Sequence, residues 1–195
     1  MNEKLKKIIN FYVFSLKKFW DFVWKGESIF SWLVFLILTY LFIKFLLFPS
    51  FGLILSTSLP LVLIESDSMH HVADFQRWYE IMGYWYKERN ISFEEINSWK
   101  FKNGMDKGDI IILEGWSDIN IGDVVVFNAN QRYPIIHRVV WKNETSIATK
   151  GDNNFEQIYF ERNILKENVL GKAWIRIPKL GWIKLFFVEL LRKTS

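Results

Sequence analysis

Residues 29–48 read IFSWLVFLILTYLFIKFLLF, twenty positions with a single charge, Lys44. No other stretch constrains the chain as strongly. At about 1.5 Å per residue, a helix of this length covers the ~30 Å hydrocarbon core of a bilayer. Lys44 stands near the C-terminal end, where a long side chain reaches the interface. Pro49 is expected to end or kink the helix. The run is too long and starts too late for a cleaved targeting peptide. Residues 29–58 are therefore read as a transmembrane helix with its core at 29–48, the apolar residues after Pro49 extending it to about Ser58.

Residues 1–28 carry six lysines, Lys4, Lys6, Lys7, Lys17, Lys18 and Lys25. Ile8, Ile9, Tyr12, Leu16, Phe19, Trp20 and Val23 fall on one helical face, with the lysines largely on the other. That pattern suits a helix lying on an anionic membrane surface, and equally a helix docked on a partner protein. The excess of lysine before the span puts this end in the cytoplasm and everything after the span on the opposite face of the membrane.

Beyond the span the pattern is that of a folded β domain. Half the chain is hydrophobic and 18% is aromatic, which excludes a disordered chain. The net charge of +4 is too small and too scattered for a nucleic-acid binder. There is no cysteine, so thiol catalysis, disulfides and thiolate metal sites are excluded. Residues 61–64 read as a strand leading out of the membrane, and short β runs follow at 109–113, 123–127, 135–140, 146–149 and 169–177, bounded by Gly, Asp and Asn. Between them, Phe75, Trp78, Tyr79, Met82, Trp85 and Tyr86 recur at i, i+3, i+4 spacing, so residues 72–105 are expected to be a helical insertion. The fold class is mainly β: an N-terminal transmembrane helix, a β domain over 59–182 holding the helical insertion, and a C-terminal segment, 183–195, at the interface.

Three residue types in this domain could make a hydrolase. A serine hydroxyl is a poor nucleophile unless a base lies within hydrogen-bond reach, and the base needs an orienting acceptor. Ser68, His137 and Asp152 supply nucleophile, base and acid. Each alone has an ordinary structural reading: a turn serine, a packed strand histidine, an aspartate in a Gly-Asp-Asn-Asn turn. A metal site from His70, His71 and Asp74 would require adjacent imidazoles to converge on one ion, and neither a metal nor a cofactor is expected.

Taken together and in order after one span, these boxes resemble the type I signal peptidases, in their archaeal and endoplasmic-reticulum branch. The resemblance covers residues 61–182 apart from the insertion. It rests on Ser66-Asp67-Ser68-Met69, on Gly122-Asp123 with its following strand, on Pro134-Ile135-Ile136-His137-Arg138-Val139, on Gly151-Asp152-Asn153, and on Ile177-Pro178-Lys179-Leu180-Gly181-Trp182. It implies that Ser68 is the nucleophile and His137 the general base, where the bacterial branch has a lysine. There are two departures. His71 stands where the family has a proline, and Ile158 stands where the branch carries a second aspartate. Asp152 is then expected to orient His137, with Glu156 as the alternative acid and a Ser–His dyad as the remaining alternative.

The implied activity is a serine endopeptidase that removes signal peptides from translocated precursors with small residues at −1 and −3. The Ser68 N–H and the Ser66 hydroxyl are the expected oxyanion donors. Leu61, Val62, Leu63, Ile64 and Met69 are the expected substrate contacts, the strand pairing with the substrate backbone. The implied partners are the precursors, the lipid bilayer and accessory membrane subunits, with no nucleic acid. The implied place is the cell membrane, or the endoplasmic-reticulum membrane of a eukaryote. Anchoring enzyme and signal peptide in one layer raises their effective concentration. Lys150 is an alternative base, and a catalytically impaired membrane-anchored scaffold of the same fold is an alternative function.

Overall fold

A computed structural model describes residues 3–186 of the chain. Most of the C-terminal segment expected at the interface, from residue 187 on, lies outside the described residues. The chain divides into two compact units, one reaching to Phe51 and the other starting at Gly52.

In the first unit, α1 (Glu3–Lys25) turns back into α2 (Ile29–Phe42). The turn is tight enough that a side chain at Gly26 would meet the Phe22 carbonyl at 2.3 Å. Ser28 caps α2 by accepting from the Ser31 N–H at 3.1 Å. The buried Ser31 hydroxyl donates back to the carbonyls of Phe22 and Gly26. A π-helical turn (Ile43–Leu47) and then α3 (Phe48–Ile54) follow without a break. Among the described residues, Ile29–Ile54 is the helical run long and apolar enough to cross a membrane. Pro49 does not end it. Proline lacks an N–H and crowds the carbonyl four residues back, and the preceding π turn opens the ladder where that crowding would fall. The helix stops instead in a Schellman cap: Ser56 takes φ 51°, and Thr57 N–H donates to the Gly52 carbonyl at 3.0 Å.

The second unit is built on a seven-stranded antiparallel sheet. Its strands are β1 (Leu61–Leu63), β2 (Ile110–Glu114), β3 (Val124–Phe127), β4 (Ile135–Lys142), β5 (Ser146–Lys150), β6 (Ile164–Leu165) and β7 (Val169–Ile177). They lie in the order β1-β2-β7-β3-β4-β5-β6. This is the β-rich, signal-peptidase-like fold with a helix ahead of it. The short β runs of the sequence form strands within a residue or two of their expected ends. β6, only two residues long, has no pattern to betray it.

The 72–105 region holds α4 (Phe75–Lys87), N-capped by Asp74, and α5 (Phe93–Ser98), N-capped by Ser92. Trp78, Tyr79, Met82, Trp85 and Tyr86 bury together against Val140 and Ala148 of the sheet. The aromatic spacing therefore marks a core face. Gly122, at φ 92°, starts the turn into β3, and a side chain there would strike the Trp99 indole at 2.4 Å.

Candidate active site

A cleft of about 670 Å³ opens at one edge of the sheet. Leu61, Val62, Leu63 and Ile64 form one wall, and β1 is an edge strand of the sheet. Tyr133, Ile135, Ile158 and Phe160 contribute the other. Ser66, Ser68 and His137 all line it.

Ser68 sits in the loop after β1. That loop is buckled to the turn after β5: Asn153 donates its N–H to the Ser68 carbonyl at 2.8 Å and its side-chain amide to the Asp67 carbonyl at 3.0 Å. The Ser66 and Ser68 hydroxyls are 3.2 Å apart. Met69, expected among the substrate contacts, is fully buried in the core. Its Sδ accepts from the Asp152 N–H and its carbonyl from Met105 N–H.

His137 comes from β4, opposite Val125 of β3. Its Nε2 lies against Gly151, where any side chain would approach it to 2.9 Å. Its Nδ1 meets the carboxylate of Glu161, and both side chains are buried. Glu161 closes the 3₁₀ turn Tyr159–Glu161 and also accepts from the Ile158 N–H at 2.6 Å. With Nδ1–H donating to that carboxylate, the imidazole keeps Nε2 as a free acceptor.

The sequence-expected acid lies elsewhere. Asp152 is fully buried, but it accepts from Arg138 through Nε at 2.8 Å and Nη2 at 2.6 Å, and from His71 Nε2 at 3.3 Å. Its carbonyl takes the Trp78 indole N–H at 2.9 Å. Burial alone would raise its carboxyl, but Arg138 and then His71 outweigh that and hold it well below the usual carboxylate range. Successive residues of β4 face opposite sides, so His137 and Arg138 diverge. Gly151 serves the first, and Asp152 the second. Glu156, the alternative acid, accepts from the Trp85 indole at 3.1 Å. Spacing to the family box points to position 158 and so misses Glu161. The sequence signal that could have found it is one acidic residue between the apolar Phe160 and Ile164.

The two adjacent histidines diverge. His70 Nδ1 pairs with Asp106 at 2.6 Å, while His71 stacks on Trp78 at 4.2 Å between ring centres. Lys150 is buried between the rings of Trp85 and Tyr86 and donates to the Gly151 carbonyl at 3.1 Å. Burial pushes its ammonium down to about 8, against the pull of Asp152, Glu161 and Glu156.

The sequence is similar to those of known proteins. The signal peptidase complex catalytic subunit SEC11 of Scheffersomyces stipitis is 28% identical over 173 residues, spanning 80% of this chain and 82% of that protein. The corresponding subunit of Schizosaccharomyces pombe is 33% identical over 141 residues, 67% of this chain and 68% of its own length. No family model matches the chain. The chain belongs to the family of signal peptidase complex catalytic subunits.

Proposed function

We propose that this chain is a membrane-bound serine endopeptidase that removes signal peptides from translocated precursors. Ser68 is its nucleophile, His137 its general base, and Glu161 the residue that positions the base. The observation that carries the reading is a single cleft lined by Ser68 and His137, with a buried carboxylate on the far nitrogen of that imidazole.

His137 Nε2 takes the Ser68 hydroxyl proton as Oγ attacks the scissile carbonyl carbon. The oxyanion is met by the Ser68 N–H and the Ser66 hydroxyl. The peptide C–N bond then breaks, and the leaving amine takes the proton from His137. Water, deprotonated by the same imidazole, releases the acyl chain and restores Ser68. The substrate lies extended along β1, whose edge position leaves backbone groups free to pair with it, and the apolar walls favour small side chains near the cut. Asp152 holds the β5 turn to Arg138, and that turn holds the Ser68 loop through Asn153.

The span at Ile29–Ile54 anchors the chain with its lysine-rich N-terminal part in the cytoplasm and the β unit on the opposite face. The relatives are named as subunits of a complex, and accessory membrane subunits are proposed partners here too. Against Lys150 as the base, rings enclose its ammonium, which donates a hydrogen bond to the Gly151 carbonyl. The test is precursor cleavage in detergent across pH. His137→Ala abolishes cleavage and Lys150→Ala leaves it substantially intact. The opposite result would transfer the base role to the lysine.

A further inference from the structure

The segment that carries Ser68 runs between β1 and α4 with no strand or helix of its own. A nucleophile on such a loop needs outside support, because a misplacement of about 1 Å can cost 10²-fold in rate. The support comes from three sides. Asn153, in the turn after β5, holds the Ser68 carbonyl from one. Met105 donates its N–H to the Met69 carbonyl at 2.8 Å from another, beside Gly104, where any side chain would strike that carbonyl at 2.6 Å and the His71 ring at 2.5 Å. On the third side stands Trp78 of α4. Two of the three supports belong to the helical insertion.

Trp78 differs from its neighbours on the same helix face. Tyr79, Met82 and Trp85 fill the core between the insertion and the sheet. The Trp78 indole, 3% exposed, is turned to the Ser68 loop. It lies flat on the His71 ring, 4.2 Å between centres and 5° between planes, and gives its N–H to the Asp152 carbonyl at 2.9 Å. His71 is the third residue after Ser68, and Asp152 directly precedes Asn153. One side chain thus joins the loop to the turn that buckles it. His71 closes the triangle by meeting the Asp152 carboxylate at 3.3 Å. The proline that the family carries at this position has no ring N–H to offer that carboxylate. The far end of the insertion is tied to the other half of the site. Arg138, the residue after His137, donates to the carbonyls of Lys100 and Phe101 at 3.0 and 2.9 Å. The insertion therefore spans from the strand that bears the imidazole to the loop that bears the hydroxyl.

We propose that Trp78 is a positioning residue for the cleavage reaction: it carries the placement of the insertion to the Ser68 loop and so sets the hydroxyl against His137. It touches neither substrate nor reacting atoms. The proposal rests on the reading of Ser68 as nucleophile and His137 as base.

Two measurements test it on the full chain in detergent: precursor cleavage, and the alkylation of a thiol placed at the nucleophile. Trp78→Phe keeps a ring on His71 and leaves the Asp152 carbonyl without its donor. His71→Ala cuts the same tie from the loop side and answers for Trp78→Phe should that variant not fold. Both are expected to lower kcat by about 10–100-fold with KM little changed. Met82→Ala, one turn along in the same core, lowers the melting temperature and keeps kcat. The chain has no native cysteine, so Ser68→Cys carries a single thiol. Its rate of reaction with iodoacetamide is followed against pH. Contact with the His137 imidazole holds the midpoint below the ordinary value of about 8.5, and adding Trp78→Phe is expected to raise it, as adding His137→Ala does. A midpoint that responds to His137→Ala but not to Trp78→Phe or His71→Ala, with native kcat in both, would overturn the positioning role and leave the base in place. An equal fall in kcat from Met82→Ala at the same loss of melting temperature would reduce Trp78 to a core residue. A midpoint indifferent to His137→Ala would overturn the base and the positioning role together.

Discussion

Asp152 and Glu161 are both buried carboxylates, and what each touches separates their roles. Glu161 meets the imidazole that faces the cleft, and Asp152 meets a guanidinium and a second imidazole behind it. Glu161→Gln keeps the shape but exchanges an acceptor that fixes the imidazole tautomer for a group that can donate. Its kcat is expected to fall by about 10²–10⁴-fold with KM little changed, while the melting temperature moves modestly. Asp152→Asn behaves the other way. It strands the fully buried Arg138 without a countercharge and costs about 3–5 kcal/mol of stability, read by denaturant unfolding. Equal kinetic losses from both, at unchanged stability, would contradict this division.

Lys150 supplies a pH prediction. Its folded-state value of about 8 lies below the ordinary 10.5 because burial penalises the charged form. The unfolded chain therefore binds more protons between those values, and the lysine's contribution to stability rises with pH across that window. It is a cost below about pH 8 and vanishes above the unfolded value. Lys150→Met removes the charge, and its stability relative to the native chain is expected to be most favourable below pH 8, by at most about 3 kcal/mol, with the advantage shrinking toward pH 10.5. A difference that stays flat from pH 7 to 10.5 would show that this ammonium is not penalised by its aromatic box.

At the scale of elements, β4 explains which parts of the site could be read in advance. The strand has a period of two, so His137 and Arg138 were bound to face opposite sides, yet both lie in one recognisable box. The box identifies the residues without saying which acid each side receives. Asp152 stands in the matching box and goes to Arg138. Glu161 stands in no box and arrives through a short 3₁₀ turn whose place is set by tertiary packing. Hydrophobic periodicity carried α4 and the longer strands well, because burial of one face fixes the register of each. Of the two effects expected of Pro49, ending or kinking the helix, the first does not occur, because the proline follows a π turn that no local pattern announces. The elements also meet at points with no spare room. Gly122→Ala puts a Cβ at a left-handed φ of 92° and into the Trp99 indole, on which Arg138 also rests. A loss of about 1–3 kcal/mol is expected in thermal unfolding, and an unchanged melting temperature would refute the close approach.

For the molecule as a whole, the apolar run was the most legible feature, since its length and its single charge make a helix long and apolar enough to cross a bilayer. Fold class followed from turn residues and strand spacing, and family membership from the serine and histidine boxes. What could not be read was the pairing of buried charges, which depends on contacts between residues as distant in sequence as His71 and Asp152. In the proposed mechanism the hydroxyl at 68 performs the cleavage. The purified chain and its Ser68→Ala variant, reconstituted in vesicles, are given a precursor with a signal peptide, and the released mature fragment is quantified and its new N-terminus sequenced. Cleavage by the native chain after a small residue, and none by Ser68→Ala at matched folding, is the predicted result. Product from Ser68→Ala at the native rate, or from neither protein, would contradict it.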